Sequence, residues 1–119
     1  MLSMIYNKIF RRIKKLLGIK SQMLFADASA HVEVSPSARI QNSKIELKGK
    51  SKLIISDDVV IDGTYIVLED SELTIASNVE MSNMNVFAKK DSNMFVSNSV
   101  KIDKYDWMLE KSVLIVGDN

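Results

Sequence analysis

The chain is predicted to fold as an all-β solenoid, a parallel three-sided β-helix with an amphipathic α-helix at its N-terminus. Three observations carry this expectation. The segments SKLIISDDVVI, SELTIASNVEM, SNMFVSNSVKI and SVLIVGDN align beneath one another at steps of 20 or 21 residues, and a fixed period of that length marks a stacked repeat. Within each segment apolar and polar residues alternate, the period-2 pattern of a strand with one buried face. Between the alternating pairs stand clusters of Ser, Asn and Asp, which make tight turns through local side-chain hydrogen bonds.

Composition sets the outer bounds. At 119 residues and 46% hydrophobic content the chain is one domain with a modest core. It has no Cys, so neither a disulfide framework nor a thiolate metal site is available, and a cytoplasmic location is expected. Residues 1–20 hold six of the sixteen basic side chains and no acidic one, leaving ten basic against fifteen acidic groups in the remainder. That acidic remainder opposes the phosphate attraction on which nucleic-acid binding rests, so no nucleic-acid partner is expected.

Taken in order, residues 1–20 place Leu2, Ile5, Ile9, Ile13, Leu16 and Leu17 at spacings of three and four, with Lys8, Arg11, Arg12, Lys14 and Lys15 between them. This is a basic amphipathic helix, which Gly18 can end. Charges interrupt its apolar run well short of the ~20 residues of a membrane span, and no small-residue cleavage site follows. Two roles compete for it. Its apolar face can cap the open first rung of the solenoid or pack on a partner, which is the favoured role. Alternatively it can lie on the anionic inner face of a membrane as a peripheral contact. Residues 21–29 read as a connector delivering Met23, Leu24 and Phe25 to the first rung.

Residues 30–119 form about four and a half rungs, starting at Ala30, Ser51, Ser71, Ser92 and Ser112. Each rung has three short strands and three corners. The inward columns are Val32, Leu53, Leu73, Met94 and Leu114, with Val34, Ile55, Ile75, Val96 and Val116, on the first side. Ala38, Val59, Val79 and Val100 with Ile40, Ile61, Met81 and Ile102 fill the second, and Ile45, Ile66, Val86 and Trp107 with Leu47, Leu68, Ala88 and Leu109 the third. An antiparallel sandwich would give no reason for such constant offsets. The outward stripes Glu33, Ile54, Thr74, Phe95, Ile115 and Glu46, Val67, Phe87, Met108 turn apolar away from the first rung, as a subunit contact or a seat for the helix would. Homo-oligomerisation is therefore expected.

Segments such as SKLIISDDVVI and SVLIVGDN, behind a basic amphipathic start, resemble the hexapeptide-repeat acyltransferases, in particular the sugar O-acetyltransferases of bacterial polysaccharide biosynthesis. The resemblance implies a left-handed β-helix, a trimer, acetyl-CoA as co-substrate and a sugar hydroxyl as acceptor, with no tightly bound cofactor. It also implies a His general base in a cleft between subunits, because a group titrating near neutrality suits that proton transfer. The single His, His31, matches no motif of the family and reads as a surface residue, so no catalytic residue is assigned.

The pattern stops mid-rung after Gly117-Asp118-Asn119. Two expectations follow: the chain is the N-terminal β-helical portion of such an enzyme and inactive by itself, or it is a non-catalytic scaffold that assembles through its stripes or open end. Other chemistry is thin. Asp57-Asp58 and Glu69-Asp70 occupy corners, where acids make turns, and no metal site is assigned. Trp107 stands in an aliphatic column and reads as core, while Tyr65 and Tyr105 read as turn aromatics. Lys89-Lys90 could meet a coenzyme A phosphate but read as solvated corner charges. Cofactor-binding residues stay unassigned.

Overall fold

A computed structural model describes residues 24–117. The expected helix over residues 1–20 and the chain's last two residues lie outside the described residues. The described chain is all β: β1 Leu24–Ala26, β2 His31–Val34, β3 Arg39–Gln41, β4 Lys44–Lys48, β5 Lys52–Ile55, β6 Val60–Asp62 and β7 Tyr65–Glu69, then β8 Glu72–Ile75, β9 Glu80–Ser82, β10 Asn85–Lys89, β11 Asn93–Val96, β12 Lys101–Asp103, β13 Asp106–Glu110 and β14 Val113–Val116. They stack into three parallel sheets, ordered β1-β4-β7-β10-β13, β2-β5-β8-β11-β14 and β3-β6-β9-β12. Each strand therefore pairs with the strand one rung later, which is the topology of a β-solenoid.

Register follows the sequence period residue by residue. Ile45, Ile66, Val86 and Trp107 stand opposite one another in the first sheet, and Leu53, Leu73 and Met94 do so in the second. A slip of one residue would turn every one of these side chains to the outside, so the buried face holds the register. Leu53, Ile61, Ile66, Leu68, Leu73 and Ile75 are fully buried and form the axis of the core.

The stretch 21–29, taken above as a connector, contains a strand. Leu24 pairs with Ile45 and Ala26 with Leu47, both inward, so the first sheet begins before Ala30. Leu-Phe-Ala lies 21 residues before Ile-Glu-Leu and repeats its in-out-in alternation, so it meets the same ladder.

The corners are built from columns of left-handed backbone. One holds Asp58, Asn78 and Ser99 (φ 57–61°), the next Asn42, Gly63, Asn83 and Lys104 (φ 51–63°), and the third Gly49, Asp70, Lys90 and Lys111 (φ 49–65°). Gly, Asn and Asp accept this conformation at least cost, whereas a lysine there pays the ordinary penalty of a Cβ. Lys104 and Lys111 are held in it by backbone N–H donation to Ser82 and Lys89 of the preceding rung. At Gly49 a Cβ would run into Asp70 Oδ1, an atom that accepts the Lys50 N–H at 2.9 Å, so both φ and space call for glycine.

The rung-start serines do more than turn the chain. Ser51, Ser71 and Ser92 are buried, and each hydroxyl donates to a carbonyl at the end of the preceding strand: Lys48 (2.7 Å), Glu69 (2.9 Å) and Lys89 (2.9 Å). Each hydroxyl oxygen also accepts the N–H of the next rung's serine, at 3.4, 3.2 and 3.2 Å. A ladder of serines thus satisfies backbone groups at a corner where the strands cannot. Ser71→Ala strands the buried Ser92 N–H and the Glu69 carbonyl, and is expected to cost about 1–3 kcal/mol in urea unfolding; an unchanged midpoint would remove the ladder's role.

Candidate functional site

Side chains that face away from the core on the first sheet form three columns. The front column is Lys44, Tyr65, Asn85 and Asp106; the middle one Phe25, Glu46, Val67, Phe87 and Met108; the rear one Lys48, Glu69, Lys89 and Glu110. Alternation along each strand sends these positions outward while Ile66 and Leu68 and their equivalents go in. Between the middle and rear columns runs a groove of about 410 Å³, with Val67, Phe87 and Met108 as its apolar wall and Lys48, Glu69, Lys89 and Glu110 as its charged one. Phe25 is 43% and Met108 80% exposed, so the middle column is open at its two ends.

The upper part of this face is tied together by polar and aromatic contacts. Tyr65 Oη donates to Glu46 Oε2 at 2.6 Å, and its ring meets Phe87 edge to face at 5.5 Å. Lys44 Nζ sits 3.7 Å from Glu46 Oε1 and lies over the rings of Phe25 and Tyr65, at 5.4 and 5.7 Å, an attraction between a cation and the ring faces. Tyr65 had the sequence signature of a turn aromatic; instead it opens β7 and faces outward, as its place one residue before inward Ile66 requires. Its hydroxyl is held above the ordinary tyrosine range, first by the hydrogen bond to Glu46, then by desolvation and the Glu46 charge.

That shift has a sign. The fold favours the neutral hydroxyl, so stability is intact below the ordinary tyrosine pKa of about 10 and falls as pH rises through the raised value. Glu46→Gln removes the acceptor's charge and so lessens the shift. An ultraviolet titration of the three tyrosines is expected to show one step moving to lower pH in the variant; superimposable curves would separate Tyr65 from Glu46.

At the other end Glu110 receives Lys89 at 3.4 Å and Lys90 at 3.3 Å, and the two ammonium groups hold its carboxyl below the usual range, Lys90 foremost. The pair considered for a coenzyme A phosphate is thus engaged with a carboxylate. Asn85 Nδ2 donates to Asp106 Oδ1 at 2.8 Å.

The remaining candidates are dispersed. His31 is exposed on edge strand β2, with Nε2 2.9 Å from Glu33 Oε1 of the same strand. Asp57 accepts a hydrogen bond from Ser35 Oγ, Asp58 has left-handed backbone with its N–H on Ser37 Oγ, and Asp70 caps Lys50, so these acids serve corners. Trp107 is half-buried against the core and Tyr105 is exposed at a turn. Among the described residues no group of three His, Cys, Asp or Glu side chains is placed to hold a metal ion, and no helix is long and apolar enough to cross a membrane. Chemically, the first-sheet face offers apolar contact and paired charges, with the carboxylates of Glu69 and Glu110 in the charged wall of its groove.

The second sheet carries a parallel outward stripe of Glu33, Ile54, Thr74, Phe95 and Ile115, with Phe95 and Ile115 exposed. No family model matches the chain, and no curated protein or solved structure matches it.

Proposed function

We propose that the chain is the N-terminal β-helical part of a bacterial sugar O-acyltransferase that takes acyl groups from coenzyme A, a left-handed solenoid working as a trimer. In this reading residues 24–117 supply the assembly surface, and the base that activates the sugar hydroxyl comes from elsewhere. The observation that carries it is the contiguous outward run Val67, Phe87 and Met108 beside its charged column. Contiguous apolar surface of this kind is what subunits of a closed ring bury against one another. The resemblance of the repeats to those acyltransferases supplies the substrate class.

A second function, a non-catalytic scaffold assembling through the same stripe, is favoured by one observation. The single imidazole is paired with Glu33 on an exposed strand, outside the groove. Light scattering at micromolar concentration is expected to give the mass of a trimer; a monomer would contradict both functions. Acetyl-CoA turnover with sugar acceptors is expected to be absent for this chain, and measurable turnover would show that the base lies within it. The reading frame beyond Asn119 separates the two: further rungs with a His support the acyltransferase, and a stop codon supports the scaffold.

A further inference from the structure

The charges on the outward face of the first sheet follow an order that the fold does not require. Its five-residue strands β4, β7, β10 and β13 stack in sequence order, so one residue from each makes a column. From β4 to β13 the rear column is Lys48, Glu69, Lys89 and Glu110, and the front column runs from Lys44 to Asp106. Turned end for end, the rear column meets itself with every sign opposed, Lys48 on Glu110 and Glu69 on Lys89. In the front column Lys44 meets Asp106, and Tyr65 meets Asn85, hydroxyl on amide. In the middle column Val67 meets Phe87. One level is mismatched, Glu46 with Met108. There Glu46 is already engaged by Tyr65 and Lys44, and methionine adapts its shape to its neighbours.

We infer that this face binds a second copy of the chain, the two solenoids antiparallel about a twofold axis that runs along the strands, midway between β7 and β10. The inference rests on the scaffold function above, and for that function the expected assembly is a pair rather than a ring of three. Such an axis lays each column on itself with its levels reversed, which is the matching that opposes the signs. A twofold axis along the solenoid keeps the levels and exchanges front for rear. It would set Lys44 against Lys48 and Asp106 against Glu110, like charge on like at both ends. The antiparallel pair also completes what one copy lacks. Lys89 and Glu110 pair with each other at 3.4 Å, whereas Lys48 and Glu69 make no ion pair among the described residues. Across the axis Lys48 faces the partner's Glu110 and Glu69 faces the partner's Lys89, closing a square of alternating charge, and symmetry makes two of them. Charges in a network contribute where isolated surface pairs do not. Strand length and spacing make the face about 16 Å by 19 Å, the small end of specific contacts, so the pair is expected to depend on concentration and salt.

Sedimentation of the unaltered chain over a micromolar concentration series is expected to show monomer in equilibrium with dimer. Lys48→Glu and Glu110→Lys, each alone, should weaken association at least about tenfold, because each sets like charges together twice. Mixed in equal amounts, the two variants should pair with each other as tightly as the parent chain with itself, since the exchanged charges then oppose one another in both squares. Should E110K fail to fold beside Lys89 and Lys90, cross-linking decides alone. The chain has no Cys of its own, so Lys48→Cys mixed with Glu110→Cys is expected to link through a thiol reagent of about 10 Å reach, the spacing of packed sheets. Lys48→Cys mixed with Lys44→Cys is expected not to. A trimer, tighter association of K48E than of the parent, a mixture no tighter than its components, or preferential linking of K48C to K44C would overturn the inference. A trimer leaves this face as an assembly surface, whereas a monomer at every concentration contradicts the scaffold function together with the inference.

Discussion

Leu73→Asp is expected to abolish cooperative unfolding, whereas Thr74→Asp, one residue along the same strand, leaves the protein folded. Leu73 is fully buried in the column Leu53, Leu73 and Met94. A carboxylate there has no cation or donor facing it, and an unpaired buried charge belongs to the class of substitution costing more than about 4–5 kcal/mol. Against a total stability of about 5–15 kcal/mol, that removes most or all of the margin. Thr74 faces outward between Ile54 and Phe95, and an acid there loses strand preference and cross-strand contact, about 1 kcal/mol or less. Circular dichroism through a urea titration reads both. A folded L73D with the parent midpoint would mean that Leu73 does not point inward.

Removing a whole rung has the opposite outcome to removing part of one. Deleting Ser71–Asp91 takes out β8, β9 and β10 and joins Asp70 to Ser92 at the same corner. The new neighbours are matched: Leu53 meets Met94, Ile61 meets Ile102 and Ile66 meets Trp107, each inward residue on an inward residue. Stability in a stacked repeat is close to a sum of units and nearest-neighbour interfaces. The shortened chain is therefore expected to fold, with a lower midpoint and a smaller urea dependence because less surface is buried. Deleting Ser71–Met81 instead places a strand of one side beneath a strand of another and is expected to yield an unfolded or aggregated chain. Equal behaviour of the two deletions would contradict stacking by rungs.

Most of the architecture was legible in the sequence because two periods reinforce each other. Alternation alone would allow a sandwich, but Ile45, Ile66, Val86 and Trp107 also recur at 20 or 21 residues, and only stacking of equivalent strands uses both facts. Short or ambiguous local signals hid the rest. Leu24–Ala26 is three residues long, too few for alternation to stand out without its partner β4. Ser51, Ser71 and Ser92 advertise turns, and the same hydroxyl that breaks a strand is also a buried donor and acceptor; composition does not distinguish the two. Lys104 and Lys111 carry no signal for left-handed backbone, which only their alignment beneath Gly63, Asn83, Gly49 and Asp70 supplies.

The candidate site was legible in the same partial way. The outward apolar stripe follows from alternation, so Val67, Phe87 and Met108 were found from residues alone. Phe25 and Tyr65 were assigned to a connector and a turn because each stands at an element's edge, where side and role depend on register. The link from Tyr65 to Glu46 joins residues 19 apart, one short of a rung, so it is a diagonal contact that no local pattern announces. No residue pattern in the sequence marked a proton-transfer centre, and the single His, His31, is not among the residues lining the groove.

Inter-strand proton contacts in nuclear magnetic resonance spectra of the folded chain test the parallel solenoid most directly. The account predicts contacts from Ile66 to both Ile45 and Val86, and from Leu73 to both Leu53 and Met94, every one between residues 20 or 21 apart. Close Hα–Hα contacts between consecutive strands, such as β7 with β8, are the mark of antiparallel pairing and would contradict it.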